Sequence, residues 1–142
     1  MQKLVTVFGG SGFVGRYVVR ALCKDGWRVR VAVPRPHLAH DLTMMGVVGQ
    51  VEIVQANVRM PWSVEAAVQG ADAVIDLVGV LWSAGAQSFQ AIHVDAARTI
   101  AEAAAKAGAS RLVHVSALGA DAQSASAYAR TKAEGEAAAR EA

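Results

Sequence analysis

The sequence predicts an α/β domain built on a doubly wound parallel sheet with helices on both faces. Short β-branched runs alternate with alanine-rich helical stretches along the 142 residues, and this alternation is typical of parallel strands joined by crossover helices. Apolar residues make up 54% of the chain and charged residues 18%, a composition that can fill a core and excludes a disordered chain. The length suits one domain, residues 1–142.

The predicted elements follow one another as strand and helix from the first residues to the last. The strands are nearly continuous apolar runs, as expected when both faces are covered. They occupy residues 4–8, 28–33, 51–55, 73–78 and 111–115. Helices are predicted over 13–24, 89–107 and 125–142, with weaker patterns at 38–45 and 63–69. Right-handed crossovers then give the strand order 3-2-1-4-5. Because the last helix runs to the end without a polar tail, we expect the N-terminal part of a longer protein.

Charge and cysteine content exclude several classes of protein. The net charge is +2 and the 14 basic residues are scattered, so no nucleic-acid surface is predicted. The single cysteine, Cys23, forms no internal disulfide, which is compatible with a reducing compartment. No apolar run approaches the roughly 18 residues of a membrane span. His37, His40 and Asp41 lack further ligands, so no metal site is predicted.

The first strand is followed by the glycine-rich run GGSGFVG, residues 9–15, which opens the first helix. In this position the spacing predicts a dinucleotide-binding loop. The early glycines permit a tight turn, Gly12 lets the backbone approach a pyrophosphate, and Gly15 lets helix and strand pack closely. Amides at the helix start favour the anion. A P-loop is excluded because no GK[ST] follows, and a plain glycine-rich turn is the alternative.

The residue after the second strand bears on the choice of cofactor. An NAD site usually has Asp or Glu there, whereas this sequence has Arg35 between two prolines. A guanidinium suits the 2′-phosphate of NADP(H). We therefore expect NADP(H) to be preferred, with NAD(H) as the other possibility. In the alternative interpretation Arg35 is a solvated loop residue.

A second candidate site lies near the C-terminus, where residues 128–132 read YARTK. In a helix this spacing places Tyr128 and Lys132 on one face. An ammonium close to a phenol stabilises the phenolate, so Tyr128 could act as an acid or base. Ser116, at the end of the preceding strand, could orient a substrate. The alternative is an exposed aromatic residue and lysine on an amphipathic helix.

Four segments together resemble the extended and atypical short-chain dehydrogenase/reductases. They are GGSGFVG at 9–15, DLVG at 76–79, HVSALGA at 114–120 and YARTKAEGE at 128–136. Within this family the chain looks most like the branch that contains the nucleotide-binding accessory subunit of respiratory complex I. The resemblance implies a Rossmann-type domain with bound NADP(H) and a smaller C-terminal substrate domain outside this chain. It also implies a cytoplasmic protein, or one held at the inner membrane by a respiratory complex.

The resemblance assigns roles residue by residue. Tyr128 and Lys132 match the catalytic pair, with Lys132 also at the nicotinamide ribose and Ser116 near the catalytic serine. Asn57 stands where relatives usually have an Asp beside the adenine, and it can still bond an amino group. The residues matched to cofactor contacts are Gly9, Ser11, Gly12, Phe13, Val14, Gly15, Asn57, Val58, Val78 and Gly79. Trp62 and Trp82 are expected to cover the cleft or pack on the missing domain.

Two departures from the family pattern separate the functional hypotheses. His93 replaces an Asn that supports the lysine, and Ala117 replaces a second serine. Both fit a binding domain of a complex I accessory-subunit-like protein, with the nucleotide held mainly for structure or regulation. The alternative is an NAD(P)H-dependent reductase, dehydrogenase or epimerase that uses Tyr128 and Lys132. Helices 89–107 and 125–142 are rich in alanine, which predicts a homodimer or contact with respiratory-complex subunits.

Overall fold

The computed structural model describes residues 2–81 and 83–142, so the expectation for Trp82 lies outside the described residues. One parallel sheet has the order β3-β2-β1-β4-β5, which confirms the predicted doubly wound fold. Its strands are β1 (Leu4–Phe8), β2 (Arg28–Val33), β3 (Val51–Gln55), β4 (Ala73–Asp76) and β5 (Arg111–His114).

The helices differ in length and type. They are α1 (Phe13–Lys24), α2 (Pro61–Ala67), α3 (Ala96–Lys106) and α4 (Ala127–Glu141). Two 3₁₀ segments, Pro36–Leu38 and His40–Met45, stand where a weak helix was predicted. A π-helical segment, Gln90–Asp95, leads directly into α3. The predicted long helix 89–107 is therefore one helix with a widened first part.

The core lies on both faces of β1, whose five residues are all buried. Its central residue Val7 pairs with Val31 on one side and Ile75 on the other. One apolar cluster packs under α1 and the 3₁₀ segments, and the second packs under α2 and α3. Such two-sided burial explains the nearly continuous apolar runs of the central strands.

The edge strand β5 and its neighbour β4 are both shorter than predicted. The sequence predicted residues 73–78 and 111–115, but β4 ends at Asp76 and β5 at His114. Asp76 Oδ1 accepts the backbone N–H of Val78 at 3.0 Å, and this bond turns the chain out of the sheet. Val113 on β5 is 45% exposed, because β5 lies at the sheet edge and only one of its faces is packed.

The alanines of α3 serve the chain's own core. Ala96, Ala97, Ala101 and Ala103 are buried, the last in the cluster that also contains α2 residues. Close helix packing therefore operates within the molecule. Association through these helices stays a prediction, and it has to use outward-facing residues such as Ala137 on α4.

Within residues 2–81 and 83–142, none of the helices has the combination of length and apolar character that crossing a membrane requires.

Candidate dinucleotide site

The carboxyl ends of β1, β2, β3 and β4 border one cleft of about 480 Å³. Ligands bind at this edge in doubly wound sheets, where the strand order reverses. Six of the predicted site residues line the cleft: Gly9, Ser11, Arg35, Asn57, Val58 and Val78. The other walls include Ala32, Pro34, Leu38 and Ala56, so the cleft combines apolar sides with a few polar groups.

The glycines of the loop meet different requirements. Gly9 has a φ of +81°, a conformation that favours glycine. A Cβ at Gly15 would lie 2.4 Å from the carbonyl oxygen of Gly9, so the fold itself needs glycine there. A Cβ at Gly12 would meet that same oxygen at 3.5 Å, which is an ordinary contact. The contacts at this position therefore do not require glycine for the fold.

The start of α1 supplies backbone donors. Gly12 is the N-cap residue, and no side chain of the described residues caps the helix. The amides of the first turn have no acceptor within the helix, and they carry the positive end of its dipole. The side chains of Phe13 and Val14 are apolar, and the residues are 81% and 53% exposed. These two residues can therefore bind an anion only through their backbone amides.

Arg35 lies at the cleft wall, two residues after the end of β2. Among the described residues its guanidinium has no hydrogen-bond or salt-bridge partner, whereas Arg16 on α1 is paired with Asp41. Within the described part of the chain, the lining of the cleft contains no carboxylate but a second cation, Arg59. Sequence reasoning missed Arg59, although a basic residue two positions after Asn57 was visible in the sequence.

Asn57 is held in one orientation by its neighbours. Its Oδ1 accepts the N–H of Arg59 at 3.0 Å, and its own N–H donates to Ser63 Oγ at 3.0 Å. The expected bond to an amino group would use the second lone pair of this oxygen. The side-chain NH₂ of Asn57 donates to none of the described residues and could bind a ring nitrogen of a purine.

A second group of residues, the inner cluster, consists of Phe89, His93, Tyr128, Thr131 and Lys132. The Tyr128 ring meets the rings of Phe89 and His93 edge-on, with centroids 5.8 and 5.2 Å away. Lys132 is buried, and its Nζ donates to the carbonyl of Val115 at 3.2 Å. The cluster thus contains the predicted tyrosine and lysine together.

Burial changes the charge balance of the inner cluster. It lowers the pKa of Lys132, an effect that Asp76 and Glu136 oppose. The pKa of His93 is also lowered, first by burial and then by the nearby Lys132 charge. A charged Lys132 close to the ring therefore disfavours protonation of His93.

Ser116 Oγ is buried and has no hydrogen-bond partner among the described residues. A buried hydroxyl without a hydrogen-bond partner destabilises the fold unless another group binds it. Ser116 directly follows Val115, whose carbonyl holds Lys132. The predicted serine is therefore close in the chain to the lysine contact.

The segment after β4 connects the cleft to the inner cluster. Val78 lines the cleft, while a Cβ at Gly79 would lie 3.6 Å from His93 Nε2 and 3.7 Å from Lys132 Nζ. Gly79 also lies directly beside the residue that borders the cleft. The predicted cofactor residues thus form one path from the glycine loop to Lys132. Its amides, apolar walls and cations fit an extended dinucleotide.

The chain is similar to known proteins over most of its length. The family model described as NAD(P)H-binding matches residues 9–141. Subunit 9 of the NADH dehydrogenase [ubiquinone] 1 alpha subcomplex from Mus musculus is 38% identical over 136 residues, covering 94% of this chain and 36% of that protein. Ceramide reductase from Caulobacter vibrioides is 38% identical over 138 residues, covering 95% and 41%. The chain thus spans about two fifths or less of these relatives.

Solved structures show the same fold. A point mutant of uronate dehydrogenase from Agrobacterium tumefaciens, complexed with NAD, superposes with a TM-score of 0.80 at 21% identity. The match covers 99% of this chain and 56% of that one. The chain belongs to the NAD(P)H-binding family, with a Rossmann-type fold and relatives among complex I subunits and reductases.

Proposed function

We propose that residues 1–142 form an NADP(H)-binding domain of a complex I accessory-subunit-like protein, in which the nucleotide serves mainly structure or regulation. The observation that supports the NADP(H) preference most directly is Arg35, unpaired among the described residues, in a cleft whose described lining contains no carboxylate. A ribose 2′-OH is usually bound by Asp or Glu at this position. A guanidinium instead suits a 2′-phosphate, to which it donates two parallel hydrogen bonds.

The inner cluster supports a binding role over catalysis. Both ring nitrogens of His93 are engaged within the protein, one with Val80 N–H and one with Thr131 Oγ1. His93 therefore has no hydrogen-bonding group left for a water or substrate. Ala117 also lacks the hydroxyl that many related enzymes have at its position.

Calorimetric titration of the purified chain with NADPH and NADH tests the proposal. Hydrogen bonds to charged groups contribute about 1.5–3 kcal/mol, so we expect NADPH to bind roughly tenfold to a hundredfold more tightly. Arg35→Ala should remove the preference and leave NADH binding unchanged. Arg20→Ala, on the exposed side of α1, is the matched control and should keep it. Equal affinities of the wild type, or a preference for NADH, would contradict the role of Arg35.

A reductase or dehydrogenase is the second candidate, favoured by the unbound Ser116 hydroxyl and by the proximity of Tyr128 and Lys132. A bound reduced nicotinamide would supply the hydride to a carbonyl carbon. Tyr128 would give its hydroxyl proton to the carbonyl oxygen, and Lys132 would stabilise the phenolate that remains. One of the relatives is a ceramide reductase. The test substrates should therefore include carbonyl compounds that also carry a long-chain amide.

Turnover separates the two candidates. If the nucleotide serves structure or regulation, NADPH oxidation with a panel of carbonyl compounds stays at the level of the enzyme-free control. Ready oxidation that is lost in Tyr128→Phe, with NADPH affinity retained, would favour the reductase instead.

Partners follow from the same proposal. We place the full protein in the cytoplasm or at the inner membrane, docked on respiratory-complex subunits, with a homodimer through α3 and α4 as the other arrangement. If the homodimer forms, sedimentation at tens of micromolar will show a dimer that Ala137→Arg disrupts. Ala103→Arg is unsuitable, since Ala103 is only 5% exposed. A clean monomer with and without NADPH would remove the homodimer.

A further inference from the structure

His93 connects three parts of the molecule through its imidazole ring. Its Nε2 accepts the backbone N–H of Val80 at 3.1 Å, in the segment after β4. Its Nδ1 lies 3.0 Å from Thr131 Oγ1 on α4. Because Nε2 is the acceptor, Nδ1 carries the proton and donates it to Thr131. Thr131 in turn donates to the carbonyl of Ala127 at 2.8 Å, so every partner in this chain of bonds has a consistent role.

The ring is fixed by packing as well as by hydrogen bonds. His93 is 2% exposed. Phe89 stacks on it at a centroid distance of 5.2 Å, and Tyr128 meets it edge-on at the same distance. Burial and the Lys132 charge lower the pKa of His93, so the neutral form with a free Nε2 lone pair is retained. A neutral imidazole is the form that can accept the Val80 N–H.

The backbone around His93 is shaped to bring it to α4. His93 lies in the π-helical segment Gln90–Asp95, and single π turns are often found at functional sites. Its carbonyl lies so close to α4 that a Cβ at Gly135 would be 2.0 Å from the oxygen. The widened turn and the missing side chain at Gly135 together allow His93 to reach Thr131 and Val80 at once.

We propose that His93 is a positioning residue that holds the Gly79–Val80 backbone in place for the nicotinamide half of the dinucleotide. This inference rests on the proposed nucleotide binding. It adds a residue that affects the nicotinamide half of the ligand and not the half bound at the glycine loop. The Val80 N–H is directed at the inner cluster, and an unpaired amide there would move the backbone. Gly79, next to it, is the residue that lies between the cleft and Lys132.

The test uses two substitutions that each keep one of the two bonds. The amide of Asn occupies the place of Nδ1, so His93→Asn keeps the bond to Thr131 and loses the bond to Val80. The longer Gln reaches the place of Nε2, so His93→Gln can still accept the Val80 N–H. The ligands are NADPH and adenosine 2′,5′-bisphosphate, which has the adenosine half but no nicotinamide.

We expect His93→Asn to weaken NADPH about tenfold, within the range for an unpaired buried donor, and to leave the bisphosphate within about twofold. His93→Gln should restore most of the NADPH affinity. Hydrogen exchange of the Val80 amide in the ligand-free chain should be faster in His93→Asn and close to the wild-type rate in His93→Gln. Because hydrogen exchange is measured without ligand, it tests the bond to Val80 separately from nucleotide binding. Thermal unfolding shows whether each variant is folded.

Two failures are distinguishable. If the wild type binds neither ligand, the proposed function is wrong, and the nicotinamide role of His93 is wrong with it. If the wild type binds both ligands but the Asn variant weakens both equally, or neither, the positioning role of His93 is overturned while nucleotide binding stands. Gln and Asn variants that behave alike would also overturn it.

Discussion

The cleft at the glycine loop is formed by backbone and small side chains, whereas the inner cluster is formed by buried polar side chains that bind one another. At the loop, glycines make room and the amides of α1 face outward. In the inner cluster, His93 and Lys132 are almost fully buried, and each is held by a bond to backbone. The first region presents unused groups to a ligand, and the second has most of its groups already in use.

This difference predicts that the two regions will tolerate substitutions differently. In the glycine loop, a new side chain either clashes with nearby backbone, which affects folding, or occupies the place of the ligand, which affects binding. Buried polar groups depend on every partner, and loss of one leaves the others unsatisfied. Substitutions in each region can therefore separate the requirements of folding from those of binding.

The largest expected effect is next to the inner cluster, from Gly135→Ala. The added Cβ would lie 2.0 Å from His93 O, so α4 must move away from the π-helical segment. We expect a loss of about 3 kcal/mol of unfolding free energy, at the upper end for overpacking, measured by denaturant titration. Gly119→Ala is the control, since no atom of the described residues lies within 4 Å of a Cβ there. A stability of Gly135→Ala equal to that of the control would mean that the helices are not so closely packed.

Substitutions in the glycine loop should separate folding from binding. Gly15→Ala places a Cβ 2.4 Å from Gly9 O and should cost about 1–3 kcal/mol of unfolding free energy. Gly12→Val meets little resistance in the ligand-free chain, so it should fold normally but abolish NADPH binding. Thermal unfolding and calorimetry on both variants check this. A Gly12→Val protein that binds NADPH would place the pyrophosphate elsewhere.

The smallest expected effect is the pH dependence from His93. Its pKa is lowered in the folded chain, so below the unfolded value of 6.5 the unfolded chain binds more protons. Stability contributed by the neutral ring is complete above that pH and is lost as pH falls toward the folded pKa, by at most about 1.4 kcal/mol per pH unit. We compare the unfolding free energy at about pH 7.5 and about pH 5.5, roughly one unit either side of the unfolded pKa. The decrease between these two pH values should be smaller in His93→Gln than in the wild type, and should be unchanged in His37→Gln. An equal fall in both variants would contradict it.

The fold could be predicted from the sequence because its determinants are local. Alternating apolar runs fix the strands, and a glycine loop after β1 fixes the start of α1. The cleft followed from this, since residues after β1, β2 and β3 must meet at one edge. Arg35 was found because strand ends are visible in the apolar pattern.

Tyr128 and Lys132 of the inner cluster could be predicted from their helical spacing, but the part of the cluster around His93 could not, because it depends on tertiary contacts. His93 is a departure from the family pattern, and nothing near it in the sequence indicates that it binds both Val80 and Thr131. A wide helical turn has no residue signature comparable to a glycine loop. The early end of β4 also involves a side chain, since Asp76 binds the N–H of Val78.

One continuous site from the glycine loop to Lys132 is the arrangement on which both proposals depend. Amide chemical shifts of the labelled chain, recorded with NADPH and with adenosine 2′,5′-bisphosphate, test it most directly. NADPH should move the amides of residues 9–15, Arg35, Val78 to Val80 and Lys132, while the bisphosphate should move the cleft amides and leave Val80 and Lys132 unchanged. Shift changes confined to surfaces away from the cleft, or identical patterns for the two ligands, would contradict a single continuous site.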